Sequence, residues 1–377
     1  MPRDVCFMTA ASWCPVPISA VELGKEAVAR KSRPWELSSD MQQQQCEGAR
    51  NAAAALIGAN PSDMAIIPSV GYGVASAAKI LGLEPGASVI VLADDHTSPV
   101  LEWSDPTGNG NLKVHTVQRG LDGDWTSAVL EKMAQVSKSG LALVSISNVH
   151  WADGGLIDMD AVASAARNYE TKVLLDATHA VGVVDVDVNR IQPDFLIFPT
   201  YKWLLGPYGR AFLYVAPQHH GGIPLEQTMS GRKRVRAEDP VYFSDLSYVE
   251  DASRFDMGER DFFISLDLAR HGMELVHRLG RASVEARLKK MTTLIETEIL
   301  EAELPVDMLS EQHRSPNILS LRFPQGMPDE LEKRLAAHKV YAAVRLGHLR
   351  IAPHIYNDEE DCEKLVAALY SVIKEAR

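Results

Sequence analysis

Between residues 64 and 216 the chain carries a series of short apolar, β-rich runs: MAIIP (64–68), ASVIVLA (87–93), KVHTV (113–117), LALVSIS (141–147), KVLLD (172–176), DFLIF (194–198) and AFLYVA (211–216). Most are apolar throughout. A strand with one wet face alternates polar and apolar positions, so continuous runs point to strands covered on both faces. Helical patterns separate them, at Gly71–Leu83, Thr126–Ser137 and Asp158–Tyr169, the last two opened by Thr or Asp caps. This βαβ rhythm predicts a mostly parallel sheet wrapped by helices. An Ala-rich helix is expected before it, over Met41–Ile57. After residue 216 the texture changes to a Gly-, Pro- and charge-rich segment. One long helix follows near 262–300, then strands at NILSLRF and VYAAVRL and a final helix from about Asp358. That pattern predicts a second, smaller α+β unit.

Composition narrows the classes. At 377 residues and 46% apolar, the chain is long enough for one large and one smaller domain. It lacks an apolar run of about eighteen residues and a signal peptide's order of segments at MPRDVCFMTAASW, so a cytoplasmic address and no membrane partner are expected. The four cysteines, Cys6, Cys14, Cys46 and Cys362, show no CxxC spacing and suit a reducing compartment; no metal site is indicated. A net charge of -12 argues against nucleic acid, which calls for a surplus of Lys and Arg. The one basic cluster, Arg232, Lys233, Arg234 and Arg236, reads as a solvated or mobile loop, with a nucleotide or partner patch as the alternative.

Chemistry concentrates in two segments, LLDATHAVG (174–182) and PTYKWLLGPYG (199–209), where an acid closes one apolar run and a lysine follows the next, 26 residues on. In a doubly wound sheet, side chains at the carboxyl ends of neighbouring strands converge on one crevice, which places Asp176 and Lys202 at a common ligand. A lysine among Tyr201, Trp203 and Leu204 is partly desolvated, which lowers its pKa and makes it a nucleophile towards an aldehyde. Pyridoxal 5′-phosphate (PLP) needs such an amine, and a carboxylate beside its pyridine nitrogen to keep the ring an electron sink. Spacing alone also fits an ordinary strand end and a lysine lying along apolar surface.

These two motifs resemble those of the class V aminotransferase family, the PLP fold type I group that includes cysteine desulfurases, selenocysteine lyase, kynureninase and isopenicillin N epimerase. The resemblance runs from about residue 40 to the C-terminus, and D-x-x-H-x-x-G followed by Y-K-W-L-x-G-P-x-G is fairly specific. It implies an α/β PLP-dependent transferase fold of type I, with a mostly parallel sheet in the large domain and a smaller α+β C-terminal domain. The expected division is an N-terminal segment at 1–30 joining the small domain, a PLP-binding large domain at 31–245 and the small domain at 246–377. It implies Lys202 as the Schiff-base residue and Asp176 at the ring nitrogen. Gly71, Tyr72 and Gly73 fall at a helix start suited to the phosphate. His96, in LADDHTSPVLEW, takes the place of the ring stacked on the cofactor. In SISNVHWADGG, Asn148 is expected at the phenolic oxygen, with His150 and Trp151 on the substrate side. His179 is expected near that oxygen and Thr200 at the phosphate. In AVRLGHLRIAPHIYNDEED, Arg350 is expected to bind the substrate α-carboxylate, assisted by Arg345.

Two departures matter. Desulfurases of the family carry a cysteine in a loop before the carboxylate-binding arginine, whereas only Leu346, Gly347, His348 and Leu349 separate Arg345 from Arg350 here. And the family's F-E-x-G-T threonine, which reaches the partner subunit's phosphate, is replaced in Phe255-Asp256-Met257-Gly258-Glu259-Arg260, so either Arg260 takes that task or the interface differs. The expected protein is a homodimeric PLP enzyme acting at Cα of a small amino acid, foremost a cysteine-independent C–S or β-elimination lyase. The alternatives are an epimerase or racemase, an aminotransferase, or a catalytically silent relative of the fold. A nicotinamide dehydrogenase is disfavoured because no GxGxxG follows an early strand.

Overall fold

In a computed structural model, which describes residues 1–105, 111–235, 240–260 and 264–375, the chain runs β1 (Cys6–Phe7), α1 (Ile18–Lys31), α2 (Ser39–Ile57), β2 (Met64–Ile67), α3 (Val70–Leu81), β3 (Ser88–Leu92), α4 (Thr97–Ser104), β4 (Lys113–Val117), α5 (Trp125–Ser137), β5 (Leu141–Ser147), α6 (Met159–Asn168), β6 (Lys172–Asp176), α7 (Val188–Ile191), β7 (Phe195–Pro199) and β8 (Ala211–Val215). There follow α8 (Ser265–Leu279), α9 (Arg281–Glu301), β9 (Leu319–Arg322), α10 (Leu331–Ala337), β10 (Val340–Tyr341), β11 (Ala343–Arg345), β12 (His348–Ile351) and α11 (Glu359–Glu375). Arg236, from the basic cluster, lies outside the described residues.

Seven strands form the central sheet in the order β2-β8-β7-β6-β5-β3-β4. Within it, β8 alone runs against its neighbours β2 and β7; the other pairs are parallel. The apolar runs explain the burial. Successive side chains of a strand point to opposite faces, and here both faces are dry. Ile66, Ile90, Val144, Leu175 and Phe198 join one core, while Ile67, Val91, Leu143, Leu174 and Ile197 join the core on the other face. A third core holds Cys6 and Met8 together with Met291, Ile295, Leu319, Leu321, Ile351, Leu365 and Leu369. The N-terminal residues thus pack with the C-terminal unit: β1 pairs in parallel with β10, and Ala10 donates to the Ala352 carbonyl.

The expected long helix is two. Gly280 adopts φ +80 between α8 and α9, a conformation that ends a helix and that an L side chain rarely takes. The helix expected from Thr126 is capped two residues earlier, by Asp124, whose carboxylate accepts from the Ser127 N–H. The strand expected at VYAAVRL divides into β10 and β11.

Helix α8 bears on the crevice because it presses on the segment after Lys202. A Cβ built at Gly272 would stand 2.2 Å from the Leu204 carbonyl oxygen. Backbone on both sides leaves no flexible side chain to yield. Gly272→Ala is therefore expected to destabilise the protein by about 1–3 kcal/mol, as overpacking does. A urea denaturation curve checks this, and an unchanged midpoint would show that α8 slides freely.

Candidate active site

The register of the parallel strands brings their carboxyl ends level: Ser147 pairs with Asp176, and Asp176 with Ile197. The residues just beyond those ends enclose a cavity of about 280 Å3, at the small end of the roughly 300–1,000 Å3 typical of small-molecule sites. Of the predicted residues, Gly71, His96, Trp151, Asp176, His179 and Lys202 line it. A wider groove of about 610 Å3 at the opposite end of the strands, lined by Lys172 and Asp194, contains none of them.

Lys202 is buried, and its amine lies 3.1 Å from His179 Nε2. Trp203 Nε1 donates to His179 Nδ1 at 3.2 Å, so the histidine carries its proton on Nε2 and presents it to Lys202 Nζ. Burial and the Lys202 charge hold His179 well below the ordinary histidine range. Burial, then the charges of Arg350 and Arg345, push Lys202 down to about 7, with Asp176 opposing. The hydrogen-bond geometry is that of a deprotonated amine accepting from an uncharged imidazole, the form that gains population as pH rises through about 7.

Asp176 is buried at the last position of β6, with one oxygen accepting from the Thr178 N–H at 2.9 Å. His96 precedes α4 and meets the Trp151 ring edge-on, centroids 5.7 Å apart. Ser69 caps α3 through the Tyr72 N–H, and Ser69, Val70 and Gly71 face the cavity with the helix N-terminus. Tyr72 and Gly73 do not line it. Gly73 serves close packing, since a Cβ there would come within 2.7 Å of Ile67 and 3.0 Å of Ile197. Thr200 is also outside the lining, its hydroxyl turned to the Pro207 and Arg210 carbonyls of its own loop. Asn148 does not line the cavity either; it is buried, borders a separate groove of about 510 Å3 with Asp158 and His313, and its Oδ1 lacks a protein partner. His150 stacks on Trp125 and pairs with Asp153, away from the cavity. Burial lowers its pKa, but the Asp153 bond and charge outweigh that and raise it.

Arg350 is 2% exposed; it donates to the Trp151 carbonyl at 2.6 Å and to Ser12 Oγ at 2.5 Å. Arg345 donates to the same Ser12 oxygen at 3.2 Å. Arg260 forms an ion pair with the buried Asp256, which Arg50 also grips.

Pattern reading missed three participants. Asp95, just after β3, takes the Ser147 hydroxyl at 2.5 Å and stands in the cavity with Asp176; burial raises its pKa. Tyr208 stacks on Tyr201 and lines the mouth. Ser12 reaches the arginines from a segment whose Cys14 N–H donates to the Tyr201 carbonyl. The Asp-Asp-His run was a signal for Asp95. Nothing local marks Ser12.

These residues fit PLP. An amine of lowered pKa for an aldehyde, a carboxylate for a ring nitrogen, an exposed helix start for a phosphate, and the unpartnered buried Thr178 Oγ1 on the cavity wall together suit a polar, aromatic aldehyde.

Comparison with known proteins agrees. The sequence model for Aminotransferase class-V matches residues 23–365. An uncharacterized aminotransferase, YcbU, of Bacillus subtilis (strain 168) is 27% identical over 84% of this chain and 80% of its own length. A probable cysteine desulfurase of Pyrococcus abyssi is 23% identical over 90% and 86%, and isopenicillin N epimerase of Streptomyces clavuligerus 25% over 85% and 83%. In three dimensions the chain is similar to a cysteine desulfurase of Thermococcus onnurineus NA1, with TM-score 0.85 and 19% identity over 99% of this chain and 95% of the other. It is also similar to C-DES with glycine covalently linked to its PLP cofactor, with TM-score 0.85 and 17% identity over 98% and 97%. C-DES is also solved as a cystine C–S lyase with its reaction product cysteine persulfide.

The state of Lys202 predicts a pH dependence. An ordinary lysine, near 10.5, is almost wholly protonated at neutral pH and unreactive. With the folded pKa lowered to about 7, the reactive form appears as pH rises through 7. The rate at which cofactor-free protein takes up PLP at Lys202, trapped with borohydride and located by peptide mass, should have its midpoint near pH 7. A midpoint near 10 would contradict the buried, uncharged amine.

Proposed function

The chain belongs to the class-V aminotransferase family and is a PLP enzyme, and from that premise we propose that Lys202 holds the cofactor covalently and that the enzyme works at Cα of a small amino acid as a cysteine-independent C–S or β-elimination lyase. One observation carries this reading: a buried Lys202 of lowered pKa, hydrogen-bonded to His179 in a cavity shared with Asp176.

When bound, PLP supplies an electron sink for the bonds at the substrate's Cα. The protein's part divides among named groups. Asp176 would hold the proton on the ring nitrogen. His96 would cover the ring face and, with Trp151, exclude water. The helix start at Ser69–Gly71 would take the phosphate, with His179, and Asn148 if its side chain turned towards the cavity, serving the phenolic oxygen. Arg350 orients the substrate through its carboxylate, a match of planar fork to planar anion. Lys202 would hold the cofactor through its amine and would serve as the base for the Cα proton; a pKa near 7 suits it both to accept and to return one at neutral pH.

The cysteine-free form of the reaction rests on where the thiols lie. None lines the cavity. Cys6, Cys46 and Cys362 are buried. Cys14 is nearest, but burial pushes its thiol up to about 12, opposite to what a nucleophilic thiolate needs. Leu346 and Gly347, with φ 47 and 77, form a two-residue turn between β11 and β12 where relatives with a persulfide mechanism carry a cysteine loop. Epimerisation remains the second reading, favoured by the likeness to isopenicillin N epimerase.

The family's homodimer is proposed here too. The exposed apolar side chains Ile223, Met229, Val241, Tyr242, Phe243 and Leu246 fall in one stretch of chain and support a covered surface. Among the described residues, no helix is long and apolar enough to cross a membrane. The cysteines are free, as suits the cytoplasmic address proposed for the chain.

Lys202→Ala should abolish the borohydride-reducible link and reduce turnover at least 10³-fold, roughly the scale of removing a positioned acid–base group. Asp176→Asn, which keeps shape and removes charge, should lower turnover by a comparable factor while leaving the urea midpoint nearly unchanged. A covalent adduct surviving in the Lys202 variant would sink the assignment. Assaying pyruvate, sulfide, keto acid and stereochemistry across an amino-acid panel separates lyase, transaminase and epimerase. Cys14→Ser should retain most turnover, and mass spectrometry should find no substrate-derived sulfur on the wild-type protein; loss of turnover with a persulfide at Cys14 would restore the desulfurase reading.

A further inference from the structure

The turn between β11 and β12 has a consequence for substrate choice. Antiparallel pairing sets Arg345 opposite His348 and Ala343 opposite Arg350, so the two arginines occupy diagonal positions on one face of the hairpin. Their guanidinium groups converge on a single oxygen, Ser12 Oγ, at 3.2 and 2.5 Å. Two cations held together need anions, and the chain offers few. Among the described residues, no carboxylate lies within ion-pair distance of Arg350, whose buried Nε has no partner at all. Arg345 has one carboxylate in range, Glu332 at 3.9 Å, a half-exposed group whose oxygen is already taken by the Val344 N–H at 2.6 Å. Burial and the Arg345 charge lower Arg350 to about 9, which marks the pair as uncompensated. Both charges also reach Lys202.

One α-carboxylate satisfies one guanidinium fork. We propose that the substrate is a dianionic amino acid, its α-carboxylate on Arg350 and a second acidic group at the end of a short side chain on Arg345, with Ser12 between them. The second group is a carboxylate or a sulfur oxyacid; both present paired oxygens to a planar donor. This proposal rests on the reading of Lys202 as the centre of an amino-acid site, but its test does not.

Unreactive acids without an amine separate the two questions. Calorimetric titration of the PLP-loaded protein with succinate, 3-sulfopropanoate and butyrate should show at least one dianion binding tenfold or more tightly than butyrate, the scale of one added charge-assisted pair. Arg345→Gln should cut that ratio below threefold, and Arg345→Lys, which keeps the charge without the fork, should fall between. Glu332→Gln, by removing the competing carboxylate, should raise the ratio. Which dianion binds more tightly identifies the acid group. Equal binding of all three acids to the wild type, or a preference untouched by Arg345→Gln, would overturn the proposal. If borohydride fails to trap PLP at Lys202 while the dianion preference holds, the catalytic reading fails and the specificity stands.

Discussion

Taking a charged amine out of water is unfavourable by several kcal/mol in practice, and much of this site is arranged around not having to do so at Lys202. Depth and two arginines push its amine towards the neutral form, which accepts from the proton-bearing nitrogen of His179. That donation requires the histidine to hold one tautomer, which Trp203 enforces from the other side of the ring. Trp203 is itself wedged against His354 at the edge of the C-terminal unit. The reactive state of one nitrogen thus depends on packing that extends through both halves of the chain.

The sheet supplies the other constraint. Because β5, β6 and β7 end in register, groups from three separate segments meet without any of them leaving its strand end. Asp176 needs no loop to place it. Lys202 does, and the loop is held by the Thr200 hydroxyl, by the Leu204 carbonyl under α8 and by the Tyr201 carbonyl that receives Cys14. A rigid acid and a lysine on a braced loop suit a site in which one group must stay and the other must move aside.

Much of this was legible in order along the chain. Continuous apolar runs announced strands wet on neither face, and the acid and lysine ending two of them announced the crevice. What pattern could not supply was anything decided by distance in space. Ser12 is more than three hundred residues from the arginines it serves. Gly73 and Thr200 sit inside motifs that suggest phosphate, yet their closest neighbours are Ile67 and a loop carbonyl. His150 and Trp151 are adjacent in sequence and belong to one motif, but the polypeptide turns one into the Asp153 pocket and the other to the cavity. Helix length failed at Gly280, where a positive φ outweighed a periodic pattern on either side.

The hairpin that carries Arg345 and Arg350 works by parity. Side chains of a strand alternate between faces, so Arg345 and Arg350 stand together because Arg345 is paired with His348, two residues before Arg350. A slip of that pairing by one residue would send one arginine to the far side of the sheet and leave the other alone. A slip of two would bring them back, shifted along the strands. Selectivity at this site would then change in jumps with the pairing register, with even steps tolerated and odd ones not, and related chains could differ sharply in what they accept while every residue that touches the cofactor stays the same.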